Sequence, residues 1–165
     1  MRFKSLVVAI CLLISSSVTA GELTLALGED DLKGRRDSKS TMLNFWYFGR
    51  QRGGIEPFYW GYGAVIEGDT DRDFFIGGGV YAGVELWPRI FLDFSIMPGY
   101  YQKGPNGTLL GHPIEFWSHF GFSYAINPTT RIGVAASHKS NRDLGDFNSG
   151  VESIHVTFSK TLKKR

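Results

Sequence analysis

From residue 21 onward the chain repeats one pattern, short stretches in which every second residue is apolar, separated by segments rich in Gly, Pro, Asn and Asp. Alternate side chains of a strand point to opposite faces, so this period of two builds sheet with one greasy face. Eight such stretches are marked by the pattern: 22–29, 40–50, 58–68, 74–86, 89–102, 114–126, 131–141 and 152–162. Their typical length suits a tilted strand crossing a bilayer. No apolar run after residue 20 approaches the roughly 20 residues that a spanning helix needs. A chain of this kind that crosses a membrane has to do so with strands.

The content of the two faces narrows the choice further. In the fourth stretch Phe74, Ile76, Val80, Ala82, Val84 and Leu86 oppose Phe75, Gly77, Gly79, Tyr81, Gly83 and Glu85. In the sixth, Ile114, Phe116, Phe120, Phe122 and Tyr124 oppose Glu115, His119, Gly121 and Ser123, with Trp117 the one bulky residue on the polar side. One face is uniformly apolar, and the other mixes charge, glycine and aromatic rings. A periplasmic sandwich would show the same alternation with its greasy side buried. Aromatic residues near the ends of the stretches, and the features of the N-terminus, favour an all-β, eight-stranded antiparallel transmembrane β-barrel with its apolar face in lipid.

Those N-terminal features are Arg2 and Lys4, the apolar stretch Leu6 to Ile14, and Val18-Thr19-Ala20 ahead of Gly21. They have the form of a secretory signal peptide, residues 1–20, which leaves residues 21–165 as one outer-membrane barrel domain. The one cysteine, Cys11, lies inside that apolar stretch, so the expected mature chain has neither thiol nor disulfide. Of 18 basic and 16 acidic side chains only Arg2 and Lys4 fall in residues 1–20, so the remainder carries 16 of each and no net charge. Nothing in it makes a basic field for nucleic acid, and Lys163-Lys164-Arg165 is read as a solvated end.

Trp87-Pro88 and Asn127-Pro128-Thr129-Thr130 are tight turns, whereas Glu29 to Ser40, Gln102 to Pro113 and Asn141 to Gly150 are long and polar. Short turns face the periplasm in such barrels and long loops face outward. Eight strands with both termini inside obey that rule, with Gln51 to Pro57 as one inner turn longer than usual. The seventh strand then runs outward to Ser140, and the eighth starts at Glu152 at the same end.

That end carries the candidate chemistry. Ile132, Val134, Ala136, His138 and Ser140 share one face of the seventh strand, and Glu152, Ile154, Val156 and Phe158 share one face of the eighth. A serine hydroxyl becomes a nucleophile when a base takes its proton, and a carboxylate orients that base and stabilises the imidazolium. Residues i and i+2 of one strand are near neighbours, and an antiparallel return brings Glu152 beside them. Polar groups are costly on a lipid-directed face, so three of them together there call for a purpose. Asn141 has the opposite parity from Ser140, and a break in the strand just after Ser140 is expected if it is to join them. Among other polar residues, His119 and His155 read as hydrogen-bonding groups of the lumen, and His112 has no evident partner. Asn148 and Gly150 read as turn residues, and Glu29, Asp30 and Asp31 as a solvated acidic cluster.

The pattern His138-x-Ser140-Asn141, the loop with Asn148 and Gly150, and Glu152 together resemble the PagL-type lipid A 3-O-deacylases of Gram-negative outer membranes. The resemblance is specific over Gly133 to Glu152 and general over the rest of the barrel. It implies Ser140 as nucleophile, His138 as general base and acid, Glu152 as orienting carboxylate, and Asn141 as a residue important for activity and an oxyanion contributor. It implies a lipid A or lipopolysaccharide substrate within outer-membrane lipid, whose phosphates Lys33, Arg35 and Arg36 of the first outer loop would meet through charge-assisted contacts. The motif calls for neither cofactor nor metal, and the sequence permits a homodimer. The rival readings are a small structural or adhesive barrel, and an outer-membrane phospholipase or acyltransferase.

Overall fold

The computed structural model describes residues 21–32 and 40–162. The expected signal peptide, Lys33, Arg35, Arg36 and the Lys163-Lys164-Arg165 tail lie outside the described residues. Eight strands follow one another: β1 (Gly21–Asp30), β2 (Ser40–Phe48), β3 (Phe58–Asp69), β4 (Phe74–Trp87), β5 (Ile90–Gln102), β6 (Ile114–Asn127), β7 (Thr130–Ser140) and β8 (Val151–Leu162). Each pairs antiparallel with the next, and β8 returns to pair with β1, which closes the barrel. Closure leaves no strand edge unpaired, the condition for strands to stand in hydrocarbon.

The alternation read from the sequence maps onto the wall. Ile132 and Val134 on β7 and Ile154 and Val156 on β8 are between 46% and 62% exposed, while Gly133, Ala135 and Ser137 between them point inward. The same parity turns Phe94, Phe120, Phe122 and Phe158 outward. The aromatic rings that interrupt the polar face fill the lumen. Phe48 stacks on Tyr81 with ring centres 4.3 Å apart, and Trp117 stacks on His119 at 5.3 Å with Trp46 against both. Glycines opposite these rings give them room. A β-carbon at Gly61 would lie 2.7 Å from the Tyr81 ring, and one at Gly83 would lie 2.4 Å from that of Tyr59.

Charged layers lie on either side of this aromatic plug. Toward the inner end Arg131 pairs with Glu22 and, at 3.1 Å, with Asp93, which also accepts a 2.7 Å bond from the Tyr59 hydroxyl. Below them a cavity of about 740 Å³ opens at the inner mouth. Toward the outer end Lys139 pairs with Glu67 and lies 3.6 Å from Asp30, which in turn accepts from Ser153. Glu67 also accepts a 3.2 Å bond from the indole N–H of Trp117.

Asp30 therefore departs from the sequence expectation. The expected solvated cluster is divided: Glu29 faces out, whereas Asp30 and Asp31 are 2% and 4% exposed. The burial of Asp30 is compensated by Lys139, a residue on the far side of the chain. His155 behaves as expected and meets Ser137 Oγ at 3.0 Å, but His119 is held by stacking and has no hydrogen-bond partner among the described residues.

Three long connections, from Asp30 to Ser40, Gln102 to Ile114 and Ser140 to Val151, fall at one end, taken as the outer one. The fourth outer connection, 70–73, is short, and the inner segment 49–57 is long as expected. That inner segment continues the wall, since Arg52 N–H donates to Trp60 O and Trp60 N–H to Gly53 O.

Candidate active site

The site forms where β7 and β8 leave the wall. His138 and Glu152 are directly opposite in the register, and the Nδ1–Oε1 distance is 3.6 Å. Their side chains are 43% and 27% exposed, so both are reached from outside the barrel. The pairing of β7 with β8 ends one residue later, at Lys139 and Val151. Ser140, on the same face as His138, has no β8 partner and instead faces Phe116 of β6. The structure sets His138 beside Glu152 and places Ser140 on the same outward face, two residues further along β7, at the rim where the apolar wall gives way to loops.

Two neighbours hold the histidine. Ser118 lies opposite it on β6, with its hydroxyl donating to His138 O at 3.2 Å. Gly150 packs against the imidazole, and a β-carbon there would lie 2.8 Å from His138 Cε1. Gly150 also has φ of 60°, in the left-handed region that glycine enters without penalty. Conformation and the nearness of the ring both favour glycine here, so Gly150 packs against His138 as well as turning the loop.

Asn141 is elsewhere. The strand ends after Ser140 as expected, but Asn141 keeps the inward parity and is fully buried. Its amide nitrogen donates to Leu110 O and Phe147 O, both at 2.8 Å, and its amide oxygen accepts from Asp143 N–H. Its backbone N–H donates to Asn148 Oδ1 at 3.1 Å. In this geometry Asn141 ties loops 103–113 and 141–150 together, and its donors are committed to that task and not turned toward Ser140. Ser149 adds a second tie, donating to Leu109 O at 2.7 Å. His112, without evident partner in the sequence, accepts from Ile114 N–H beside it.

Strand parity put the candidate side chains on one face and gave no sign of the residues that pack against them. Ser118 and Phe116 become neighbours only once β6 and β7 are in register. Asn148 and Gly150 look in sequence like any Asn and Gly of a turn.

A closed eight-stranded barrel with an apolar outer wall, and with its charged groups turned into the lumen or set at its ends, defines an integral β-barrel of the outer membrane. Comparisons with known proteins give the relationship. The family model described as lipid A 3-O-deacylase (PagL) matches residues 38–161, and the chain belongs to that family. Lipid A deacylase PagL of Bordetella bronchiseptica is 30% identical over 50 residues, which are 30% of this chain and 28% of that relative. The barrel resembles the crystal structure of the outer membrane enzyme PagL with a TM-score of 0.68 and 14% identity, over 86% of this chain and 99% of that one. It also resembles Neisserial surface protein A, with a TM-score of 0.54 and 12% identity over 90% and 98% of the two chains. At such identities these structural likenesses concern the fold alone.

Proposed function

We propose that the protein is a lipid A 3-O-deacylase, a serine esterase that hydrolyses the 3-O-linked hydroxyacyl ester of lipid A in the outer leaflet. The observation that supports this reading is the pairing of His138 with Glu152 at the rim, with Ser140 two residues further along the same face of β7. A lipid embedded beside the barrel would present an ester near the boundary of head group and acyl chain, which is the level of this rim.

The chemistry follows from the side chains. His138 takes the proton of Ser140 Oγ as that oxygen attacks the ester carbonyl, and Glu152 holds the ring through Nδ1 and stabilises its charged form. The carbonyl–oxygen bond of the ester then breaks, and the sugar hydroxyl leaves with the proton from His138. Water, deprotonated by the same ring, attacks the acyl-enzyme, and the fatty acid and free Ser140 are restored. Asn141 enters as the organiser of the two loops around the site, which accounts for an importance to activity without contact with the substrate.

Ser140→Ala tests the proposal. The purified variant should fold as the wild type does and lose at least roughly 1,000-fold in deacylation rate, the scale seen when a hydrolase nucleophile is removed. Mass spectrometry of lipid A and of phospholipids, with and without protein, reads both the rate and the substrate. An unchanged acyl composition of lipid A with the wild type, or equal hydrolysis by Ser140→Ala, would overturn it.

A further inference from the structure

Just after Ser140 the chain passes through two successive left-handed residues, Arg142 with φ of 52° and Asp143 with φ of 64°. The turn is fixed by Asn141, whose side chain accepts from Asp143 N–H at 2.8 Å and whose carbonyl accepts from Leu144 N–H at 3.1 Å. It carries the guanidinium of Arg142 back over the wall, 6.0 Å from the centre of the Phe116 ring. Phe116 is the residue paired with Ser140. A permanent cation thus stands beside the candidate nucleophile, on the outward face and at the rim. It is exposed, and no carboxylate among the described residues pairs with it.

A guanidinium drawn over the face of an aromatic ring at this distance keeps its hydrogen-bonding edge free. That edge matches the oxygens of a phosphate in pairs. An amphiphile whose ester reaches Ser140 keeps its polar head at the same height, within reach of this edge. The backbone turn is already set, so the contact requires ordering only of the arginine side chain.

We propose that Arg142 is a specificity-determining residue that receives a phosphate of the lipid substrate, with Phe116 as the platform that positions it. The assignment rests on the deacylase reading. Arg142 contributes to holding the glycolipid and not to the bond-breaking step, so its effect belongs in KM.

The test uses the full chain in neutral detergent micelles free of phospholipid, with phosphorylated lipid A and with the same lipid A stripped of phosphate. For Arg142→Gln we expect KM to rise roughly tenfold on the phosphorylated lipid with kcat within about twofold, as for loss of one charge-assisted contact. On the stripped lipid the variant and the wild type should have the same KM, and Arg142→Lys should recover part of the loss on the phosphorylated one. An equal loss on both lipids would assign Arg142 a structural role and overturn the proposal, as would no loss on either. A loss that appears only when phospholipid is added back would assign the contact to neighbouring lipid and not to the substrate, overturning it too. A wild type that deacylates neither lipid would overturn the deacylase reading itself, a result distinct from any of these.

Discussion

Gly150 has two constraints on one residue, the left-handed φ of 60° and the imidazole of His138 against its α-carbon. Alanine there costs about 1–2 kcal/mol in backbone conformation alone, and its methyl group would lie 2.8 Å from His138 Cε1, with the carbonyl of Lys139 in contact at 3.5 Å behind it. The ring is the softer of the two, because it stands at the outer surface and can turn about χ1. Its Nδ1 would then move from Glu152, now 3.6 Å distant. We expect Gly150→Ala to lower kcat by roughly 100-fold, the cost of a misplacement near 1 Å, with KM little changed. Steady-state kinetics beside thermal unfolding in detergent separates this from general loss of fold. A fall in stability with kcat intact would show that Gly150 serves the loop alone.

At the scale of the strands, β7 and β8 carry the proposed catalytic groups on one face and a buried charge network on the other. Lys139 lies between His138 and Ser140, Ser153 follows Glu152, and both converge on Asp30 of β1, with Lys139 also on Glu67 of β3. Replacing Lys139 by Met leaves two carboxylates buried without their cation, which costs about 3–5 kcal/mol when one partner of a buried pair is removed. Adding Glu67→Gln should return part of that loss, so the double variant is more stable than the sum of the single changes implies. Urea unfolding of the barrel in lipid vesicles measures both. The strands themselves were legible in sequence because their period of two is imposed by the apolar wall, and the register of His138 with Glu152 because a single loop joins them. Lys139 and Glu67 are 72 residues apart and meet only when the sheet closes. Nothing in the alternation marks which inward carboxylate answers which inward cation, and so Asp30 reads from sequence as a solvated loop residue. The same limit hid Ser118, whose place beside His138 depends on the register of a third strand.

Taken as a whole, the molecule separates its packed interior from the surface that carries the proposed site. The rings of Trp46, Phe48, Tyr81, Trp117 and His119 occupy the middle of the lumen, while the large cavity lies at the inner mouth, at the opposite end from Ser140. Substrate on the proposed reading therefore arrives along the outside wall, by diffusion in the plane of the leaflet. The chain's one cysteine, Cys11, lies in the expected signal peptide, so single thiols introduced into the barrel report on position. Ala136 is exposed on the outer wall one pleat below His138, between Phe120 and Ile154 in register. Ala125 lines the cavity at the inner mouth. A bulky maleimide on Ala136→Cys should lower deacylation by roughly tenfold or more by displacing the lipid from its reacting position, whereas the same label on Ala125→Cys should leave the rate at that of the unlabelled protein. Lateral entry predicts this asymmetry for every label on the wall between β6 and β8, with the effect fading toward the inner end. Passage of substrate through the lumen predicts the reverse, so inhibition by the Ala125 label alone would refute the outer-wall route.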